Sequence, residues 1–278
     1  MQPAPYLVLG LLVNPQDNPQ DTPRPFQKSN YERCHNKSPP FFYRFLTMGH
    51  YLTSLLALAS AASAVAVPAS SSVVAAAPAA GTPVAITPHP FFGSSIGVLG
   101  CMINTNRVAY WPTWPDCGAS MCVQVSYGGR SVNLLHIDHS GGAHDISYDA
   151  WNYLYTGQSA TVNPEQGGII SATYIAQPMS ACSDLILSPD KKLPFSAANS
   201  MNYISNCTLA GSNWISQNSG LWNIATSSCT LGIDEECTLD LKTSNNPVCP
   251  SQLGLQTPLT SMPVFNLEYG TGKSVLAL

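Results

Sequence analysis

Hydrophobic and polar residues alternate most clearly in the middle of the chain. In CVQVS, residues 122–126, the character switches at every step, which is the period of a half-buried strand. Tyr127-Gly128-Gly129-Arg130 reads as a turn, and Ser131–Ile137 as a second strand, so the pair predicts a hairpin. Ser140-Gly141-Gly142 then breaks the pattern. A helical period follows over Tyr148–Tyr155, with Ala150, Trp151 and Leu154 on one face. Ser147 is the expected N-cap, Asp149 suits the first turn, and Gly157 is a C-terminal stop. Ile146 and Trp151 occupy the two positions of a hydrophobic staple. After Gly167-Gly168, the alternation over Ile169–Ala176 predicts another strand. Residues 96–185 thus read as a small β-rich domain with one short helix.

The flanks differ in character. From Met48 the chain enters an apolar, Ala-rich run ending in Ala62-Ser63-Ala64 and Ala64-Val65-Ala66, both small-x-small cleavage patterns. Residues 48–66 are therefore expected to be a secretion signal, although no Lys or Arg follows Met48 within it. Residues 1–47 are expected to be an upstream extension or a mis-assigned start. A short signal-anchor is the alternative, but the run barely reaches bilayer length. Residues 67–95, rich in Pro, Ala and Ser, read as a linker. Residues 186–278 form a Cys-rich C-terminal extension, open between a small second module and an elaboration of the first. The expected location is outside the cell or in a cell wall.

Charge narrows the partners. Beyond Ala66 six Lys and Arg face twelve Asp and Glu, a sparse and acidic balance. Nucleic acid needs clustered basic residues, and an anionic membrane surface does too, so neither is an expected partner. A neutral polymer such as a glycan suits this surface, and a monomer is expected. Cys101, Cys117, Cys122, Cys182, Cys207, Cys229, Cys237 and Cys249 make an even set beyond the signal, which in an exported chain implies up to four disulfides of unknown pairing. The first four are expected to staple the β-rich domain. Asn206-Cys207-Thr208 is a glycosylation sequon, expected on an exposed loop.

The richest chemistry lies in HIDHSGGAHDIS, residues 136–147. His136, Asp138, His139 and His144 have metal-ligand side chains, and His136 and Asp138 would share a strand face. No H-x-H or H-x-x-x-H spacing occurs, so no metal and no cofactor is expected. Asp138 and Asp145 are candidate catalytic carboxylates, with loop-amide capping as their structural alternative. In YWPTWP, Tyr110, Trp111 and Trp114 offer aromatic faces for sugar rings, and at least one Trp is expected to be exposed. Arg107, Tyr127, His136 and His144 are further candidate contacts.

CVQVSYGGRSVNLLHIDHSGGAHDISYDAWNYL, followed by GGIISATYIAQPMSAC, resembles the double-psi β-barrel of barwin, expansins and rare lipoprotein A-like proteins. Asp145-Ile146-Ser147 stands where that family has Asp-Leu-Ser, and Ala150-Trp151 where its helix carries a small–aromatic pair. The resemblance spans about residues 97–185. It implies a mainly β fold, a six-stranded barrel with a groove that handles polysaccharide. It places Asp145 on the general acid of hydrolytic members and Asp138 before the loop. His139 replaces a family Cys, and Asp116 is only a weak candidate for the second carboxylate. The reading that follows is a secreted, fungal-type wall-polysaccharide-binding or wall-loosening protein acting on glucan, chitin or a peptidoglycan-like glycan, weighted against catalysis. The alternatives are a glycan hydrolase or lytic transglycosylase using Asp145, and a secreted effector binding a host or wall protein.

Overall fold

The computed structural model describes residues 81–277. The segments read as upstream extension, signal peptide and the start of the linker lie outside them. The closed barrel runs β1-β5-β2-β4-β3-β6, a mixed sheet with no free edge. β1 (Thr82–His89), β2 (Val108–Trp111), β3 (Cys122–Tyr127), β4 (Arg130–His139), β5 (His144–Ser147) and β6 (Ile170–Gln177) form it. β1 pairs parallel with β5, and β2 parallel with β4, while the remaining neighbours are antiparallel. This is the mainly β, six-stranded class expected, with few short helices.

Within residues 67–95, expected to be a linker, Thr82–His89 instead forms the barrel strand β1. Pro83 and Pro88 remove two ladder donors and give the stretch a linker composition. Ile86 nonetheless points into the barrel with no exposed surface, and both of β1's neighbours supply partners. The β3–β4 hairpin turns at Gly128 and Gly129, both at positive φ. Near its end β4 carries a bulge. Ala109 pairs with His136 but Tyr110 with Asp138, so Ile137 is the extra residue.

α1 (Tyr148–Thr156) ends on Gly157, whose left-handed φ of 88° lets its N–H reach the Tyr153 carbonyl at 2.8 Å. The expected cap is different in detail. Ser147 stands at the N-cap, but its hydroxyl pairs with the Val108 backbone, accepting at 2.7 Å and donating at 3.1 Å. Ile146 and Trp151 are both fully buried in the barrel core with Ile86, Val125 and Leu134.

The extension is an elaboration of the barrel. β7 (Leu193–Ser196), β8 (Ser219–Ile224) and β9 (Gly232–Cys237) form a three-stranded sheet, and α2 (Met201–Leu209) and α3 (Trp214–Asn218) connect β7 to β8. Phe195, Ile204 and Ile215 share one apolar core with Tyr110, Leu135 and Ile137 of the barrel. Ser196 and Leu99 exchange backbone bonds across this junction, to Gly97 O at 2.8 Å and Pro194 O at 3.0 Å. The last hairpin, β10 (Phe265–Leu267) and β11 (Ser274–Leu276), brings Gly270 N to the Tyr148 hydroxyl at 3.1 Å. At Gly272 (φ +64°) a Cβ would lie 1.9 Å from the Ala160 carbonyl oxygen, so only glycine closes this turn against the loop that follows α1.

Four disulfides form: Cys101–Cys229, Cys117–Cys207, Cys122–Cys182 and Cys237–Cys249. Only Cys122–Cys182 is internal to the β-rich segment. Cys101 and Cys117, expected to staple that segment, instead bind it to the extension, because the shared core brings the two against each other.

Candidate functional site

The parallel pairings gather the polar stretch at one end of the barrel. β2 lies between β4 and β5, and Tyr110 is paired with Asp138 on one side and Asp145 on the other. The two aspartates therefore stand one strand either side of β2, with backbones about 10 Å apart from strand spacing alone. Both are half-buried. Asp145 accepts a hydrogen bond from the Thr87 hydroxyl of β1. Asp138 Oδ1 accepts from Ser95 N at 2.7 Å and His139 N at 3.0 Å, and Ser95 Oγ accepts from His139 N at 2.9 Å. Asp138 thus latches the 91–107 loop onto the bulged end of β4. Thr87 and Ser95 were missed because both lie in the stretch that composition marked as linker. Its one signal was the alternation of Val84 and Ile86.

Aromatic rings complete the rim. Trp114 is 63 % exposed, and its ring is stacked on His139 at 4.7 Å and 10°. His144, half-buried beside Asp145, meets the edge of Trp111 at 5.3 Å. Burial holds the His144 imidazole below its usual pKa, against the opposing pull of Asp145.

Several expected contacts lie elsewhere. Tyr110 and Trp111 are 2 % and 4 % exposed and belong to the two cores. Burial, reinforced by Asp138, pushes the Tyr110 hydroxyl far above its usual pKa. His136 is also buried, with Nε2 3.1 Å from the Thr113 carbonyl and its ring 5.3 Å from Trp111. The bulge at Ile137 is why His136 and Asp138 do not act as two equivalent positions of a regular strand. Tyr127 sits at the hairpin, opposite Arg130, eight residues along β4 from Asp138, up to about 26 Å away. Arg107 is committed to Asp149 at 2.7 Å. Asn206 is exposed, but on α2 rather than a loop.

Asp116 is a loop organiser. Its carboxylate accepts from Gly118 N at 2.8 Å, Ser120 N at 2.9 Å and Ser120 Oγ at 2.6 Å. Burial alone would raise its pKa, but these bonds outweigh that and hold it below the usual carboxylate value. Among the described residues no cluster of three or more His, Cys, Asp or Glu is arranged to hold a metal ion.

His136 makes a pH prediction. Burial lowers its folded pKa, outweighing the carbonyls of Thr113 and Asp138 that favour the cation. The unfolded chain therefore binds the proton more readily than the fold does. Stability should be full above about pH 6.5, the unfolded value, and decline as pH falls below it. Denaturant titrations between pH 8 and pH 5 should show that slope, flattened in His136→Gln. A stability that rises over this range on acidification would contradict the burial of a neutral imidazole.

Comparison with known proteins adds to the fold. The sequence profile of the cerato-platanin family matches residues 69–184, fewer than half of the 278. It takes in the β1 segment and ends before the extension. No curated protein matches the chain. Cerato-platanin 3 from M. perniciosa is similar in structure at 14 % identity, covering 36 % of this chain and 98 % of its own, with a TM-score of 0.27. A fungal elicitor, cerato-platanin, solved in solution, is 16 % identical over 36 % of this chain and 96 % of its own, with a TM-score of 0.27. Cerato-platanin 2 from M. perniciosa is 16 % identical over 36 % and 98 %, also with a TM-score of 0.27.

Proposed function

We propose that this protein is secreted and binds neutral cell-wall polysaccharide at the barrel rim without cleaving it. Trp114 is the observation that carries this reading. A ring left 63 % exposed, held flat by His139 beside half-buried Asp138, His144 and Asp145, is a platform for a sugar ring with polar groups within reach of its hydroxyls. The sparse acidic surface and the disulfides fit an extracellular monomer whose partner is uncharged. Among the described residues no helix is long and apolar enough to cross a membrane. The partial match to a cerato-platanin profile agrees with a barrel that engages glucan, chitin or a peptidoglycan-like glycan.

The arrangement of carboxylates supports binding over hydrolysis. Glycoside cleavage uses two carboxyl groups free to move protons on opposite sides of the scissile bond. Asp145 has one hydroxyl partner, Asp138 is held as a loop latch through two backbone N–H groups on its Oδ1, and Asp116 accepts from three donor groups of its own loop.

The test is retention on insoluble cellulose, chitin, β-1,3-glucan and peptidoglycan, with released reducing ends assayed in parallel. Retention on at least one polymer without release is expected. Trp114→Ala should weaken it about tenfold, the scale of one lost aromatic platform. Asp145→Asn should leave retention within about threefold, because an amide oxygen still accepts from Thr87. Sugar release that disappears in Asp145→Asn with retention intact would establish an enzyme instead.

A further inference from the structure

The rim continues beyond the barrel. Between the Trp114 loop and α2 lies a cavity of about 400 Å³, within the range of small-ligand sites, lined by Ser95, Trp114, Asn199, Asn202, Tyr203 and Asn206 among others. Ser95 ties this cavity to the rim, since its own N–H and hydroxyl bond the Asp138–His139 corner. The walls are fixed. Cys117–Cys207 joins the two sides, and the Tyr203 hydroxyl donates to the Asp116 carbonyl.

We propose that this cavity is an additional subsite for a neutral glycan, taking the sugar units that extend past the barrel rim. The inference rests on the glycan-binding reading and deepens it. Three observations carry it. No Asp, Glu, Lys or Arg lines the cavity, which disfavours an ionic ligand. Asn202 and Asn206 are one helical turn apart on α2, so their amides face the same way, and Asn199 precedes them by a further step of three. Asn199 is partly engaged, donating to the Ala225 carbonyl, but Asn202 and Asn206 are exposed and their side-chain amides bond no other protein group among the described residues. Each free amide offers two donors and an acceptor, the pattern that pairs with vicinal hydroxyls. Trp114 supplies the apolar face that a pyranose ring also needs. The extension, which the family profile does not reach, thereby lengthens the binding surface.

Asn206 also opens the Asn206-Cys207-Thr208 sequon, and a glycan attached there would take its amide nitrogen and fill the cavity mouth, so the subsite belongs to the chain unmodified at Asn206. The experiment therefore uses Thr208→Ala, which keeps Asn206 and gives up only a hydroxyl bond to Ile204 O. In this background, affinities are measured by calorimetry for cellobiose and cellohexaose, chitobiose and chitohexaose, and laminaribiose and laminarihexaose. Asn202→Ala and Asn206→Ala should each weaken the best hexasaccharide about three- to tenfold, the scale of a lost hydrogen bond, and leave the disaccharide within twofold. The side-chain NH₂ resonances of both asparagines should move with the hexasaccharide and stay still with the disaccharide. If Trp114→Ala weakens binding while neither asparagine variant does, the subsite is overturned and the rim reading stands. If no oligosaccharide binds, both fail together.

Discussion

Removing the Cys101–Cys229 bridge as a double serine variant should cost about 4 kcal/mol by chain entropy, because with the nested Cys117–Cys207 bridge intact it closes a loop of about 40 residues, with strain and residual structure lowering the observed figure. The bridge closes a separation of 128 residues, and Cys229 is buried. Loop entropy puts it above Cys237–Cys249, which with a separation of 12 should cost about 3 kcal/mol. The order matters more than the values. The first bridge holds the 91–107 loop to the extension, and that loop carries Ser95 to Asp138. Urea unfolding of the two double variants should therefore rank them, and the Cys101/Cys229 variant should also lose affinity for glycan. Equal stability losses would mean that the extension docks through its apolar core alone.

The second large effect is expected at Trp151. It is fully buried, donates from Nε1 to the Gly168 carbonyl at 3.0 Å, and lies so close to the backbone that a Cβ on Gly167 would sit 2.5 Å from its ring. Trp151→Ala should cost about 3–5 kcal/mol through lost burial and the cavity it leaves. Much of a marginal fold's stability would go with it. Trp151→Phe should cost less, since it keeps most of the ring contact and gives up the indole hydrogen bond. A loss under about 1 kcal/mol in the alanine variant would mean that the α1 face repacks, and that the ring is not the centre of this core.

The local signals read well where they were self-contained. The hairpin over Cys122–His139, α1 with its Gly157 stop, and β6 all follow from alternation, helical period and turn residues in short windows. What sequence did not reveal depends on distant partners. β1 forms because β5 and β6 flank it, despite Pro83 and Pro88. The bulge at Ile137 separates His136 from Asp138, although strict alternation would put them on one face. The serine expected to cap α1 turns to Val108 across the barrel, and two disulfides cross into the extension. For the site, the aspartates, His144 and Trp114 could be picked out by residue type alone. The burial of Tyr110, Trp111 and His136 could not, because an aromatic-rich stretch looks the same whether it paves a rim or fills a core. Asn202 and Asn206 gave only a helical spacing, without an indication that Trp114 would face them.

The most direct measurement of the central claim is an amide-resonance titration of the purified protein with the hexasaccharide that binds best. Residues 87, 95, 114, 138, 139, 144 and 145 should shift in a saturable way, while the hairpin turn at residues 127–130, at the other end of β4, stays unmoved. Shifts centred on that hairpin, or none at any position with all three glycans, would contradict a binding site at this rim.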